Sequence, residues 1–340
     1  MEQLDFATSS PAYASPLSFV VPVRNDAHGL RRCLESIRAQ DGNAEIIVAD
    51  NGSVDDTRQV GRALGATVLE LPGLSISALR NRAAASARGS LLAFVDADME
   101  LAPGWLSAAV SAFDRADVVA VGAEYSIPAA TTWVQRLYNG MREHRPGVND
   151  ARWLASGNMV VRRAAFERLN GFDESLRTCE DWDLCTRLRL DGGRVLSDAR
   201  LRSVHFGDPA TLGGLFRGEL WRGGDNLRVS LRSVVSWRDL PSIVFPLLWL
   251  VCGAGAILGL SLASLGNWAL WVSALCLTTI LALAALRTSV ILHRAQARHP
   301  VNPAAALLFA LVYDAARALS LVVEERHRRA RPRTSVRTLR

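Results

Sequence analysis

From Leu240 to Leu286 the chain carries no charged residue. A helix in a soluble protein keeps a polar face, and this stretch offers none, so it predicts membrane-crossing segments rather than a buried core pair. One crossing takes ~20 apolar residues, which makes the stretch too long for one span and right for two. "IVFPLLWLVCGAGAILGLSLASL" and "WALWVSALCLTTILALAAL" are separated only by Gly266 and Asn267. The expectation is a tight transmembrane hairpin over 241–292.

The flanks set the expected orientation. "LRVSLRSVVSWRD" before the hairpin and "LRTSVILHRAQARH" after it are both rich in Arg, and the turn between the spans is uncharged. The positive-inside rule then places the N-terminal domain and the C-terminus in the cytoplasm, on the inner face of the cell membrane. A third apolar segment, 301–323, carries Asp314 and Arg317 on one turn. If it spanned, the basic tail that follows would lie outside, against that rule. The segment is expected to lie in the interface with Asp314 and Arg317 on its polar side, the alternative being a third span with a buried Asp–Arg pair.

Charge narrows the function classes. The net charge is +6, and all 39 basic residues are Arg. The absence of Lys excludes a Schiff-base or P-loop lysine mechanism. The basic excess gathers near the C-terminus, in the tail 324–340, beside the long apolar runs, which points to an anionic membrane surface and not to nucleic acid. The five cysteines, Cys33, Cys179, Cys185, Cys252 and Cys276, show no C-x-x-C spacing and read as reduced thiols in a cytoplasmic protein. Residues 1–16 are acidic, polar and Pro-containing, and read as a loose tail with no signal peptide.

Before residue 240, short apolar runs alternate with amphipathic ones. "LSFVVPV", "AEIIVAD", "ATVLEL" and "SLLAFVDAD" read as strands, with helices between them, the second ended by Gly65 and the third stopped by Gly89. Strand–helix alternation with continuous apolar strands predicts an α/β domain with a parallel sheet covered on both faces, over 17–207, followed by a basic juxtamembrane segment, 208–240. Ligands of such sheets bind outside the carboxyl ends of the strands, where Asn25, Asp50 and Asp96 fall.

There the acidic residues gather. Asp96 and Asp98 lie two apart on an extended chain and so share a face. A divalent cation, Mg²⁺ or Mn²⁺, resolves their repulsion; a solvated turn is the bland alternative. "DNGSVDDT" offers Asp50 and Asn51 at the ligand end of its strand, while Ser53 or Asp55 can cap the next helix. "VPVRND" carries Pro22, Val23, Arg24 and Asn25, with Pro22 marking the strand's exit. "SGNMVVRR" is a loop, Ser156–Gly157–Asn158, leading into a strand. "EDWD" places Glu180, Asp181 and Asp183 together, with Asp183 spaced to pair Arg187. "SVHF" puts His205 in a short late strand.

Taken together and in order, "VPVRN", "DNGSVDDT", "RNRAAASARGSLLAFVDAD", "SGNMVVRRAAFERLNGFDE", "EDWDL" and His205 resemble the family-2 glycosyltransferases, inverting enzymes of the GT-A (nucleotide-diphospho-sugar transferase, Rossmann-like) fold. The resemblance covers about residues 17 to 207. It implies that Pro22, Val23, Arg24, Asn25, Asp50, Asn51 and Asp55 serve the nucleotide, with Asp50 on the base and ribose. It further implies Asp96 beside ribose and metal, Asp98 on the metal, His205 as a further metal ligand, and Arg80 facing the diphosphate. Ser156, Gly157 and Asn158 would approach the donor sugar or acceptor. Asp181 matches the catalytic base and Glu180 its neighbour. Arg24 stands where the family often has an aromatic residue. In "LFRGELWRGGDN", Arg217 and Trp221 loosely resemble the acceptor-side motif of processive synthases; a basic amphipathic helix at the membrane surface is the alternative.

The resulting expectation is a membrane-associated, metal-dependent, inverting glycosyltransferase that moves a sugar from a nucleotide donor to a lipid-linked or surface-glycan acceptor. Polyprenyl-phosphate glycosyltransferase and processive polysaccharide synthase are the enzyme alternatives. An inactive sugar-nucleotide-binding membrane scaffold is the non-enzyme one.

Overall fold

The computed structural model describes residues 17–142, 144–232, 240–295 and 301–329. The expected N-terminal tail, part of the juxtamembrane segment and the end of the basic tail lie outside the described residues.

The chain begins β1 (Leu17–Val23), α1 (Ala27–Arg38), β2 (Glu45–Asp50), α2 (Thr57–Ala63), β3 (Thr67–Glu70), α3 (Ile76–Ser86) and β4 (Leu91–Val95). All seven β1 residues and all five of β4 are buried, as an unbroken apolar strand must be when helices cover both faces of its sheet. These four strands lie in the order β3-β2-β1-β4 and are mutually parallel. Pro22 sits inside β1 opposite Ala49, past the last β1–β4 pair at Val20 and Phe94. The donor it lacks is therefore not demanded by β4.

Next come β5 (Met99–Leu101), α4 (Trp105–Ala112), β6 (Val118–Gly122), α5 (Trp133–Gly140), β7 (Val148–Asp150), β8 (Asn158–Arg162), α6 (Arg163–Arg168), α7 (Glu180–Leu190), β9 (Arg194–Asp198) and β10 (Ser203–His205). They extend the sheet to β3-β2-β1-β4-β8-β6-β9-β7, with β8 antiparallel to β4 and β6 and β7 antiparallel to β9. The sheet is thus mixed. The reversal at β8 matters for function: pairing Asn158 with Val95 lays the Ser156–Gly157 loop against Asp96, whose N–H donates to the Gly157 carbonyl at 3.3 Å.

Two cores flank the sheet. One packs α1 and α4 around Phe19 and Trp105, and the other packs α3, α6 and α7 around Phe94, Phe166 and Phe172. The rings of Phe94 and Phe172 meet edge-on at 5.0 Å, a pairing that adds ~1 kcal/mol beyond burial. Two helix boundaries differ from expectation. α3 ends at Ser86, because Ala87 turns extended and the Gly89 N–H bonds Ser18 Oγ. α2 takes Asp56 as its N-cap with no side-chain bond from that residue, while Asp55 accepts from the N–H of Thr57, the first residue of the helix.

The remaining helices are α8 (Leu212–Arg222), α9 (Asn226–Arg232), α10 (Leu240–Ser261), α11 (Asn267–Ala295) and α12 (Pro303–Arg329), with a short 3₁₀ turn and Gly266 (φ +141°) between α10 and α11. By length and composition α10, α11 and α12 could each cross a membrane. On the hairpin, Val251, Ile257, Trp271 and Leu275 are each at least 66% exposed, an apolar surface that water would not tolerate. A third core joins Val134 and Leu137 of α5 and Leu215 of α8 to Ile291 of α11 and Phe309 of α12, so the apolar helices are packed on the α/β domain. Asp314 is not on a polar side of its helix: it is buried, and the Arg287 Nε of α11 donates to it at 2.7 Å.

Candidate active site

A cleft of about 1150 Å³ opens at the carboxyl ends of β1 and β4 and continues to α8, α11 and α12. Pro22, Val23, Arg24, Asn51, Arg80, Asp96, Asp98, Ser156, Gly157, Glu180, Asp181, His205 and Trp221 line it.

At its β1–β2 end, three expected nucleotide contacts have another task. Asp50 is fully buried and accepts from the Ser53 N–H. Asn25, at φ +51°, accepts from Val54 N–H, and its own N–H bonds Ser53 Oγ. Asp55 accepts from the Ala27 N–H and from Thr57. These groups knit the loop after β1 to the loop after β2, and none of the three lines the cleft. Asn51 does line it, clasping Gly73 and Leu74 through its amide.

Arg80 is only 2% exposed and donates to Glu180 at 2.7 Å and to Asp96 at 2.7 Å. It lines the cleft and ties the end of β4 to the start of α7. Asn158 is another correction: it is fully buried, accepts from the Trp105 indole at 2.8 Å and donates to the carbonyls of Ala123 and Leu201. It braces the β8 loop and does not touch the cleft.

Glu180 and Asp181 open α7, behind Cys179 in the left-handed region (φ 62°). The first turn suits acids, since helix N-termini stabilise negative charge. Glu180 turns inward to Arg80, and its neighbour, about 100° round the helix, faces the cleft. Asp181 accepts from the N–H groups of Trp182 at 2.7 Å and Ser156 at 3.4 Å. Burial, then the adjacent Glu180 charge, push it up to about 7, against the opposing pull of Trp153, the Trp182 N–H and Arg80. A carboxylate with its proton affinity near neutrality can take and release a proton. Asp183 pairs Arg187 at 2.7 Å, as its spacing predicts.

Asp98 and His205 meet where β5 pairs β10, with Asp98 Oδ2 3.3 Å from His205 Nε2. His205 Nδ1 lies 2.8 Å from Asp208 Oδ1. Burial disfavours charge on the ring, but the bonds to Asp208 and Asp98 outweigh it and lift His205 to about 9. Burial of Asp208 is likewise outweighed by His205 and Arg142, which hold it near 2. Among the described residues no three His, Cys, Asp or Glu converge as a metal cage. Asp96, expected as a ligand, lines the cleft and accepts from Arg80 through Oδ1. The Asp98–His205 pair nevertheless fits a hard divalent cation that takes its remaining oxygens from phosphates and water. A Cβ added at Gly207 would overlap the Asp98 carboxylate and come within 3.2 Å of His205 Nε2, so the glycine keeps that corner open.

At the far end, Trp221 is half exposed on the wall, whereas Arg217 points to solvent and does not line the cleft. The further basic groups that line the cleft include Arg145, Arg222, Arg294 and Arg317. Glu219 accepts from Tyr138 OH at 2.9 Å and from Arg222 at 3.0 Å. Apart from Arg222, which follows Trp221, and Arg317, expected on the polar side of its own helix, these residues escaped sequence reasoning because α5, α8, α11 and α12 bring them together from distant segments. Asp208 did leave a signal, standing three residues after His205.

Comparison with known proteins agrees with this geometry. Residues 18–170 match the family model described as Glycosyl transferase family 2. The pre-mycofactocin glycosyltransferase of Mycobacterium tuberculosis is 31% identical over 201 residues, 55% of this chain and 42% of that one, so the chain spans less than half that relative's length. The succinoglycan biosynthesis protein ExoA of Rhizobium meliloti is 28% identical over 279 residues, 74% of this chain and 81% of that one. Among solved structures, the mannosyltransferase PcManGT of Pyrobaculum calidifontis, in complex with GDP-Man and Mn²⁺, superposes with a TM-score of 0.59 at 20% identity, covering 92% of this chain and 88% of that one. That likeness shows a shared GT-A fold.

Proposed function

We propose, from the match of residues 18–170 to the Glycosyl transferase family 2 model, that the chain is an inverting glycosyltransferase at the membrane, moving a sugar from a nucleotide donor to a lipid-linked acceptor with an anionic headgroup. The observation that carries this reading is the single cleft that joins Asp181 to the Asp98–His205 pair at one end and to Arg222, Arg294 and Arg317 at the other, beside the apolar helices.

In this reading the loops after β1 and β2 present Pro22, Val23, Arg24 and Asn51 to the nucleoside. Asp98 and His205 would hold Mg²⁺ or Mn²⁺, as PcManGT's complex holds Mn²⁺; such an ion neutralises charge gathering on a departing diphosphate. Asp181 takes the proton from the acceptor hydroxyl as its oxygen bonds the anomeric carbon. The bond to the diphosphate oxygen breaks in the same displacement, so configuration inverts and no covalent intermediate forms. Arg80 keeps Glu180 and Asp96 in place throughout. Trp221 and the basic groups meet the acceptor as it arrives from the membrane.

The hairpin crosses the membrane, with the α/β domain on the cytoplasmic side. α12 lies along the interface: Phe309 packs with α5 and α8, Tyr313 and Arg317 line the cleft, and Ser320 abuts Gly223. That run of contacts with the domain supports an interfacial position over a third span.

The test is a donor screen. Full-length protein in detergent is offered a panel of sugar nucleotides with Mg²⁺ or Mn²⁺ and a polyprenyl-phosphate or polyprenyl-diphosphate sugar. Nucleoside diphosphate release that requires both divalent ion and lipid, and disappears in Asp181→Asn, is expected. Release from no donor with any of these acceptors sinks the reading.

A further inference from the structure

We propose that Asp208, gripped by Arg142, is a positioning residue that fixes His205 in the one ring orientation and tautomer able to ligate a divalent cation. This rests on the reading that Asp98 and His205 hold that cation.

A neutral imidazole carries one N–H, and whichever nitrogen lacks it is the ligand. Asp208 decides which. Its Oδ1 lies 2.8 Å from His205 Nδ1, and its side chain has no exposed surface, so water cannot substitute for the ring. A buried carboxylate facing the Nδ1 lone pair would be repelled; facing N–H, it accepts a strong bond. The proton on Nδ1 therefore stays there; without metal, Nε2 carries the second proton against Asp98 Oδ2 at 3.3 Å, and it is this proton that a cation entering the corner displaces. Carboxylate-to-histidine contacts of this kind orient metal ligands and raise their basicity.

Asp208 is itself immobilised. Arg142 forks onto both its oxygens, Nη1 to Oδ2 at 2.7 Å and Nη2 to Oδ1 at 2.5 Å. Gln135 of α5 donates to the Asp208 carbonyl at 3.2 Å. The Arg142 guanidinium lies 4.2 Å from the Tyr125 ring centroid and 5.2 Å from that of Tyr138. Tyr125 in turn packs on His205, with centroids 4.6 Å apart. His205 is thus held at its face by a ring and at Nδ1 by a carboxylate that the segment after α5 keeps in register.

The experiment measures Mn²⁺ binding to the full chain in detergent by electron paramagnetic resonance, with excess UDP and, separately, GDP. Asp208→Asn should weaken Mn²⁺ by about 10- to 100-fold, the usual cost of losing such a partner. In a His205→Ala background the same change should cost less than about two-fold, since coupled residues are not additive. Unaltered Mn²⁺ affinity in Asp208→Asn overturns the proposal, and so does an equal loss in both backgrounds, which would mark Asp208 as merely structural. Should Asp208→Asn lose its fold, Arg142→Lys gives the same comparison, keeping the charge but not the fork; about 10-fold weaker Mn²⁺ is expected, and unchanged affinity overturns it. If Asp98→Ala binds Mn²⁺ like the unaltered chain, or the unaltered chain binds none, the underlying metal reading fails and takes the proposal with it.

Discussion

Arg80 and Glu180 stand one hundred residues apart in sequence and 2.7 Å apart in space, Nη1 to Oε1, with both side chains at most 10% exposed. The second fork of the same guanidinium holds Asp96. One arginine thus sets the spacing between the strand end that precedes Asp98 and the helix start that carries Asp181.

Removing it should cost stability before chemistry. Arg80→Gln leaves the Glu180 carboxylate buried without its cation, and breaking such a pair from one side costs about 3–5 kcal/mol. Asp96 contributes less, because it is 36% exposed and water can replace the arginine there. Thermal unfolding of Arg80→Gln in detergent should show a clear loss. The double change Arg80→Met with Glu180→Leu should recover part of it, since an apolar pair carries no desolvation penalty. A variant as stable as the original would show that the network is not a structural tie.

The Arg287–Asp314 pair makes a topological prediction. It locks α12 beside the end of α11 that also reaches the domain, where Arg294 donates to the Met141 carbonyl at 3.1 Å. Reporters fused ahead of Leu17 and after Arg340 should therefore both report the cytoplasm, and one inserted at Gly266 the opposite side. A C-terminal reporter on the far side would mean that α12 crosses.

A glycine gives the metal corner its own check. Gly207 does not require a left-handed backbone, so Gly207→Ala should fold. Its Cβ would press on Asp98 and His205, and Mn²⁺-dependent binding of a nucleoside diphosphate should fall by about 10-fold or more. Calorimetry with and without Mn²⁺ separates the metal term from the nucleotide term. An unchanged Mn²⁺ dependence would place the ion elsewhere.

The four parallel strands and the hairpin were legible because each is specified locally, by continuous burial or by the lack of any polar face. The places of Asp181, Asp98 and His205 in the cleft lining were legible because short motifs carry them to strand and helix ends. The roles of Arg80, Asp50 and Asn158 were not. Each ends a strand or lines a helix in the expected place, but which way its side chain turns depends on partners 100, 3 and 53 residues away. The basic end of the cleft was illegible for the same reason: its arginines come from segments on either side of the hairpin. Asp314 misled, because an acid on an apolar helix reads as a polar face until the arginine that buries it is found on another helix.

The last prediction concerns Asp181 and pH. Its carboxyl is raised to about 7 from 3.8, by burial first and by Glu180 second. A general base works only when deprotonated, so kcat/KM should climb through about pH 7 and level off above it. Asp181→Asn should remove that limb and lower turnover by about 10²- to 10⁴-fold, while donor and Mn²⁺ binding persist. The same shift has a stability sign. The folded state binds this proton more tightly than the unfolded chain, so the contribution is complete below about pH 4 and is lost as pH rises through 7. Asp181→Asn cannot lose what it does not titrate. Its melting temperature relative to the unaltered protein should therefore rise between pH 5 and pH 8. Glu180→Gln should behave differently: it takes a charge from Asp181's side, which lowers the acid limb, and it loosens Arg80. If Glu180→Gln abolishes turnover and the pH limb while Asp181→Asn keeps both, the two carboxylates exchange roles; if neither changes turnover, the base lies outside this helix start.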